Sequence, residues 1–145
     1  MISSQELQIL DLLRTQAIAI RNKDAEGATA PYAHDFMRCD LAPPLARRGA
    51  AALDRTDLES WFATWSGPIG YDLGDFTVMV EDTLAFCYGF VRISGTKVDG
   101  ERPDIWTRHT VCLRRTTDDW KIVHEHSSVP FLMDGSYRAA VDLQP

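Results

Sequence analysis

The chain has 145 residues, of which 45% are hydrophobic and 25% are charged, and its formal net charge at pH 7 is -6. This length and composition predict one globular domain with a single core that needs neither a metal nor disulfides to fold. The negative charge excludes partners that are bound through clustered Lys and Arg, such as nucleic acid and anionic membranes.

The sequence carries no visible signal for export or for membrane insertion. Residues 1–6 lack a basic start that leads into an apolar run, and no stretch is long and apolar enough to span a bilayer. The three cysteines, Cys39, Cys87 and Cys112, are odd in number and widely spaced, which is typical of reduced thiols. We therefore expect a cytoplasmic protein.

Two helices are predicted at the start of the chain. Ser3 and Glu6 have the spacing of a capping box, and apolar residues then recur at helical spacing over residues 7–20. Asp24 can cap a second, shorter helix. This helix ends or kinks at Pro31, because proline cannot donate a helical hydrogen bond.

A third helix and four strands follow. Thr56 and Glu59 form a second capping-box pattern, and Gly67-Pro68 ends this helix. Farther on, β-branched and aromatic residues alternate with polar ones between short turn segments, and hairpin-length connections predict a mainly antiparallel sheet. The predicted strands are Leu73–Val80, Leu84–Ser94, Trp106–Arg115 and Trp120–Val129.

Three early helices followed by a curved, mainly antiparallel sheet indicate the α+β class, with the helices on one face of the sheet. We expect residues 1–132 to form a single domain and residues 133–145 to form a carboxyl-terminal tail. The sheet face that the helices leave uncovered carries aromatic residues and histidines, so we expect a homodimer that buries this face.

The last predicted strand carries the most distinctive residues. Strand geometry sends alternate side chains to opposite faces, which places His124 and His126 together on one face. Glu125 and Ser127 lie on the other face. A single β-bulge would instead turn Glu125 and Ser127 inward in place of the histidines.

The residues of this strand, WKIVHEHSS at positions 120–128, resemble the last strand of SnoaL-like proteins. The same superfamily holds ketosteroid isomerase, nuclear transport factor 2 and scytalone dehydratase. The resemblance implies a cone-shaped, cystatin-like fold with a pocket between helices and sheet. It is specific for fold rather than for reaction, because this scaffold hosts isomerases, dehydratases, cyclases, hydrolases and proteins without catalysis.

A motif of ketosteroid isomerases is matched without a gap at Tyr32, Ala33, Asp35, Asp40 and Gly49. The resemblance makes Asp40 the counterpart of the general base. A carboxylate beside prolines and aromatic walls would lose water, which would raise its proton affinity toward that of a base. The alternative is that Asp40 accepts backbone hydrogen bonds in a Pro-rich turn.

The enolate-binding pair of ketosteroid isomerase, a tyrosine and a neutral aspartic acid, has no counterpart in this alignment. Ala17 stands in place of the tyrosine and Thr110 in about the place of the acid. Steroid isomerisation by that mechanism is therefore not expected.

His124 and His126 are further catalytic candidates, because two imidazoles on one face can act as acid, base or oxyanion donor. They could also bind a metal as a strand-borne pair, but the spacing marks no third ligand, so we expect no metal. The alternative is that they hydrogen-bond to neighbouring strands or line a subunit interface.

The preceding strand carries Arg108, which could bind a carboxylate or an enolate with its planar fork, or form an ion pair with Glu125 or Asp40. Aromatic residues are core residues by default, and some of them are expected to line the pocket. The predicted ligand-binding residues are Arg108, Trp106, Trp61, Trp65, Tyr88, Thr110 and Glu125.

These features favour a cofactor-independent enzyme that uses Asp40, His126 or His124 to transfer a proton on an apolar, carbonyl-containing small molecule. The alternative is a non-catalytic ligand-binding or oligomerisation module. Such a module is similar to the association domain of calcium/calmodulin-dependent kinase, whose final strand has a comparable His-x-His-x-Ser pattern.

Overall fold

The amino-terminal half of the chain supplies the helices in a computed structural model, which describes residues 1–145. The capping box predicted for the first helix is confirmed, with both hydrogen bonds between Ser3 and Glu6 present. The Asp24 side chain caps the second helix by accepting the N–H of Gly27. None of the helices is both long and apolar enough to span a membrane. The helices are α1 (Ser4–Arg21), α2 (Ala25–Thr29), α3 (Ala50–Leu53) and α4 (Thr56–Ala63).

Two details of the helices differ from the prediction. The short helix α3 was not predicted, so the chain has four helices instead of three. The prediction of a second capping box is wrong, because no side chain caps the amino-terminal end of α4. Instead, Asp54 accepts the backbone N–H of Thr56 at 2.9 Å, which orders the turn before the helix.

Seven strands form one mixed, mostly antiparallel sheet, which confirms the predicted fold class. Its order is β2-β1-β7-β6-β5-β3, and β4 pairs with the remaining part of β5. The pair β1 and β7 is parallel, and the other strand pairs are antiparallel. The strands are β1 (Tyr32–Cys39), β2 (Arg47–Arg48), β3 (Gly70–Leu73), β4 (Thr77–Glu81), β5 (Leu84–Ser94), β6 (Asp104–Thr116) and β7 (Asp119–Ser128).

The predicted strand Leu73–Val80 is two strands, because β3 and β4 pair with different ends of β5. At the step between them, the N–H of Gly74 donates to the carbonyl oxygen of Phe90 at 2.8 Å. A Cβ atom on Gly89 would lie 2.7 Å from the Asp75 carbonyl oxygen. The close approach of the connecting segment therefore requires glycine on the central strand.

The inner face of the sheet packs against the helices and forms the core. A second, smaller cluster fills the space between the end of α1 and α4. Helices leave the opposite face, here called the outer face, uncovered. Its large apolar side chains are 42% to 60% exposed. They are Met79, Leu84, Phe86, Tyr88 and Phe90.

The predicted tail begins with a hairpin that returns along the preceding segment. Phe131 bridges to Ala139, and the N–H of Ala140 donates to the Pro130 carbonyl oxygen at 2.7 Å. Ala140 is buried. Residues 138–140 are thus attached to the fold by backbone hydrogen bonds and a β-bridge.

Candidate functional site

A cavity of about 540 Å³ opens between the inner face of the sheet, helix α4 and the Pro-rich loop at residues 41–44. This size suits a small organic ligand. Most of the wall is apolar, and polar side chains reach it from β1, β6 and β7. The apolar wall includes Ile20, Leu58, Trp61, Trp65, Ile93 and Ile105.

A β-bulge in β7 decides which side chains of this strand enter the cavity. Cys112 pairs with His124, whereas the next residue of β6, Leu113, pairs with Ile122, so Val123 is the extra residue. Beyond the bulge the alternation is reversed relative to a regular strand. Ile122 and Glu125 are both buried as a result.

The placement predicted for the two histidines is therefore corrected. Glu125 and Ser127 line the cavity, as expected for the bulged alternative. His126 is exposed on the outer face. The Nδ1 atom of His124 lies 2.9 Å from the carbonyl oxygen of Met37, which is the hydrogen bond to a neighbouring strand that the sequence left open.

A separate correction applies to β6, whose alternation is regular and whose residues share a face with the residues they pair with. His109 pairs with Ser127, so His109 and Thr107 enter the cavity. Arg108 lies on the outer face, where its Nε donates to the Ser128 hydroxyl at 3.2 Å. The predicted residues Trp106, Thr110 and Tyr88 also lie on the outer face. Thr110 pairs with Tyr88, and Trp106 pairs with Arg92.

Four of the predicted site residues do line the cavity: Asp40, Trp61, Trp65 and Glu125. Asp40 lies at the mouth, with its side chain 51% exposed. Its Oδ1 atom accepts the N–H of Leu41 at 2.8 Å, a contact of the kind expected in a Pro-rich turn. A catalytic role for Asp40 remains a prediction.

Three side chains form a polar cluster on the cavity floor, here called the inner cluster: His109, Glu125 and Ser127. The Ser127 hydroxyl lies 2.9 Å from Nδ1 of His109. On the other side of the ring, Nε2 lies 3.4 Å from Oε1 of Glu125. Both contacts are favourable when the hydroxyl donates to Nδ1 and the proton on Nε2 faces the carboxylate.

The second carboxylate oxygen of Glu125 is buried and has no hydrogen-bond donor in the protein. The His109 and Glu125 side chains are only 7% and 12% exposed. The ring of Phe76 packs edge-on against His109 at 6.2 Å between centroids, which restricts the imidazole. The inner cluster therefore holds the Glu125 carboxylate in a fixed position in the cavity wall.

Two tyrosines supply hydroxyl groups near this carboxylate. Burial raises the pKa of Tyr32 well above its ordinary value, and the negative charge of Glu125 raises it further. Burial likewise raises the pKa of Tyr71, followed by the charges of Glu125 and Asp40. Tyr32 is held by stacking on Phe36, with 4.0 Å between ring centroids. Both hydroxyls therefore stay protonated at neutral pH and remain hydrogen-bond donors.

Sequence reasoning did not identify His109, Tyr32 or Tyr71 as site residues. His109 could have been found from the alternation of β6, which places it on the same face as the apolar residues Val111 and Leu113. No group of three or more His, Cys, Asp or Glu side chains is placed to hold a metal ion.

Comparison with known families places these residues in context. Residues 9–132 match the SnoaL-like domain family. This chain belongs to the SnoaL-like family. A comparison with curated proteins found no match.

Solved structures with the same fold cover most of this SnoaL-like chain. An NTF2-like protein of unknown function from Pseudomonas putida is 31% identical, covers 100% of this chain and 99% of its own, and gives a TM-score of 0.88. A protein from Novosphingobium aromaticivorans, provisionally described as an aromatic ring hydroxylase, is 25% identical over 84% of this chain and 86% of its own, with a TM-score of 0.73.

A third similar structure comes from Xanthomonas campestris and is provisionally described as a calcium/calmodulin-dependent protein kinase II association domain. It is 18% identical, covers 88% of both chains, and gives a TM-score of 0.73. At this identity the likeness shows the fold alone, and function must be argued from the site.

Proposed function

We propose that this chain is a cofactor-independent enzyme that moves a proton at a carbon next to a carbonyl group of a small, largely apolar molecule. The observation that carries the proposal is the buried Oε2 atom of Glu125, which has no protein partner and belongs to a residue that lines the cavity. A carboxylate held next to a bound ligand is a suitable general base.

In this mechanism the carboxylate of Glu125 takes the proton from carbon. His109 contacts the other oxygen at 3.4 Å and Ser127 hydrogen-bonds to His109, so these two residues orient the base. The negative charge that develops on the carbonyl oxygen is stabilised by the hydroxyl groups of Tyr32 and Tyr71, which both line the cavity. Return of the proton to the same carbon gives hydrogen exchange. In a β,γ-unsaturated ketone, its return to the γ-carbon shifts the double bond and completes an isomerisation.

Asp40 is a second candidate base, because it lines the same cavity at its mouth. The two carboxylates differ in their surroundings. The Glu125 side chain is 12% exposed, whereas the Asp40 side chain is 51% exposed. The exclusion of water from around Glu125 strengthens its interaction with a developing charge, so we favour Glu125 as the general base.

The experiment is deuterium exchange, followed by proton NMR, at the hydrogens next to the ketone of 4-oxo-4-phenylbutanoate, acetophenone and cyclohexanone in deuterated buffer. The wild-type protein is expected to accelerate exchange. Glu125→Gln keeps the shape of the side chain and removes the base, so it should lower the rate by about 10² to 10⁴. Glu81→Gln changes an exposed carboxylate far from the cavity and serves as the control.

Asp40→Asn in the same assay separates the two candidate bases. Exchange that is lost in Asp40→Asn and kept in Glu125→Gln would assign the base to Asp40 and contradict our choice. If no probe exchanges faster than in buffer, the non-catalytic ligand-binding function becomes the better account of the cavity.

We also propose that the protein is a homodimer that pairs through the outer face. The proposal is supported by the apolar side chains exposed there, which include Phe86 at 43% and Met79 at 51%. An apolar patch of this kind on a sheet typically marks an interface between proteins.

A further inference from the structure

We infer that the cavity recognises a carboxylate group on its ligand through Arg38, a residue that the mechanism above does not use. The reacting group of the ligand rests on the proposed function, but the carboxylate site rests on separate contacts. The ligand class is an aromatic or alicyclic keto acid.

Arg38 is positioned by the parallel pairing of β1 with β7. In this register Arg38 lies beside Glu125, and both residues line the cavity. The strand order β1-β7-β6 places Glu125 between Arg38 on one side and His109 on the other. The Arg38 side chain is only 13% exposed, so its permanent charge is held largely away from water.

The guanidinium lacks an adequate counterion. Its Nε atom is buried and donates to no protein acceptor. The nearest carboxylate oxygen is Oδ2 of Asp40 at 3.8 Å, which is beyond hydrogen-bond distance. Asp40 is half-exposed, and its other oxygen already accepts the Leu41 N–H. A buried cation is costly unless it is paired and hydrogen-bonded, so an anionic group of a ligand would complete the site.

The other cations of the cavity are already engaged. Arg47 forms an ion pair with Asp57. The ammonium group of Lys97 lies 4.0 Å from the ring centroid of Trp65 and donates to the Thr64 hydroxyl at 2.8 Å. Arg38 is therefore the cavity cation whose fork remains open, and a guanidinium fork binds a carboxylate better than it binds a neutral carbonyl.

The surroundings of Arg38 define the remainder of the ligand. The tryptophan and isoleucine side chains of the wall favour an apolar ring. Glu125 is one strand away, a separation of about 5 Å. The carboxylate and the carbon that loses its proton should therefore be two or three bonds apart. In 4-oxo-4-phenylbutanoate the CH2 group next to the ketone meets this requirement.

The test is isothermal titration calorimetry with 4-oxo-4-phenylbutanoate and with the corresponding primary amide, which has the same shape without the charge. The wild-type protein should bind the acid in a saturable way and at least tenfold more tightly than the amide. Arg38→Met should weaken binding of the acid by roughly 10- to 100-fold and leave the amide unchanged. Arg38→Lys, which keeps the charge without the fork, should fall between the two.

Arg108→Met is the matched control, because Arg108 lies on the outer face and should not affect binding of either compound. Equal affinity for acid and amide in the wild-type protein overturns the inference, and this comparison does not depend on whether Arg38→Met folds. No saturable binding of the acid also overturns it, and would mean that water satisfies the guanidinium.

Failure of this inference can be distinguished from failure of the proposed function. Acid binding by Arg38 without proton exchange in the wild-type protein would keep the carboxylate site and reject the enzyme. Exchange in acetophenone and cyclohexanone that equals exchange in the keto acid would keep the enzyme and reject the carboxylate site.

Discussion

The contact between His109 and Glu125 should be measurable as a coupling in stability. The two atoms Nε2 and Oε1 are 3.4 Å apart, and both side chains are nearly buried. The imidazole is neutral when Nδ1 accepts from Ser127 and the proton on Nε2 faces the carboxylate. An N–H group that meets a charged acceptor contributes about 1.5 to 3 kcal/mol net of desolvation at full hydrogen-bond strength. We therefore expect a net coupling of about 1 to 3 kcal/mol.

The assay is a double-mutant cycle in urea at pH 7, with His109→Gln, Glu125→Gln and the double variant. Each single change should lower the free energy of unfolding, and the double variant should lose less than the sum. The pair His126→Gln and Glu81→Gln is the control, because these residues are exposed and unpaired with each other. A coupling below about 0.5 kcal/mol, the scatter for independent sites, would refute the inner cluster as an interacting unit.

Three further predictions concern stability and assembly. Because the pKa values of Tyr32 and Tyr71 are raised above 10.0 in the folded state, their contribution to stability is complete below about pH 10 and is lost at higher pH. The variant with both Tyr32→Phe and Tyr71→Phe should lose less free energy of unfolding than the wild-type protein between pH 9 and 11, as measured by urea titration. An unchanged dependence of this free energy on pH would contradict the prediction. Gly89→Ala should lower the free energy of unfolding by about 1 to 3 kcal/mol through overpacking against the β3–β4 connection, and a neutral effect would show that the close approach relaxes freely. Phe86→Lys should convert a dimer into a folded monomer in light scattering, because it places a charge in the proposed interface, whereas a wild-type monomer at micromolar concentration would rule out the interface.

The first helix and the sheet could be predicted because their signals are local. The capping box of Ser3 and Glu6 joins residues three positions apart, and both of its hydrogen bonds are present. The long strand β5 also has the predicted bounds, Leu84–Ser94, because turn residues mark both of its ends. Local patterns of this kind do not depend on how distant segments meet.

The polar residues that β7 contributes to the cavity could not be predicted with certainty, because they depend on a bulge that has no local signal in the sequence. The extra residue, Val123, is neither a glycine nor a proline that would mark a bulge in the sequence. It nevertheless reverses the alternation of inward and outward side chains after it. As a result the histidines of β7 leave the cavity, and Glu125 enters it. On β6 the alternation is regular, so His109 shares the inner face with Val111 and Leu113, and Arg108 lies on the outer face. A one-residue shift therefore exchanged the two predicted catalytic histidines for Glu125 and Ser127 while leaving the fold unchanged.

Arg38 illustrates a second limit of the sequence. It adjoins Cys39 and Asp40 in the chain, but its importance depends on the parallel pairing with β7, which joins residues far apart in sequence. The role of a carboxylate-binding arginine was predicted for Arg108 and is proposed here for a residue on another strand. Only the three-dimensional arrangement distinguishes a buried guanidinium without a hydrogen-bonded partner from an exposed one.

The claim that Glu125 is the base inside the cavity is tested most directly by a crystal structure with 4-oxo-4-phenylbutanoate bound. The account predicts the carbon next to the ketone within about 3.5 Å of a Glu125 carboxylate oxygen, the separation of reacting atoms in a productive complex. It also predicts the carboxylate at hydrogen-bond distance from Arg38. A ligand whose reacting carbon lies against Asp40, or that binds on the outer face, would contradict the account.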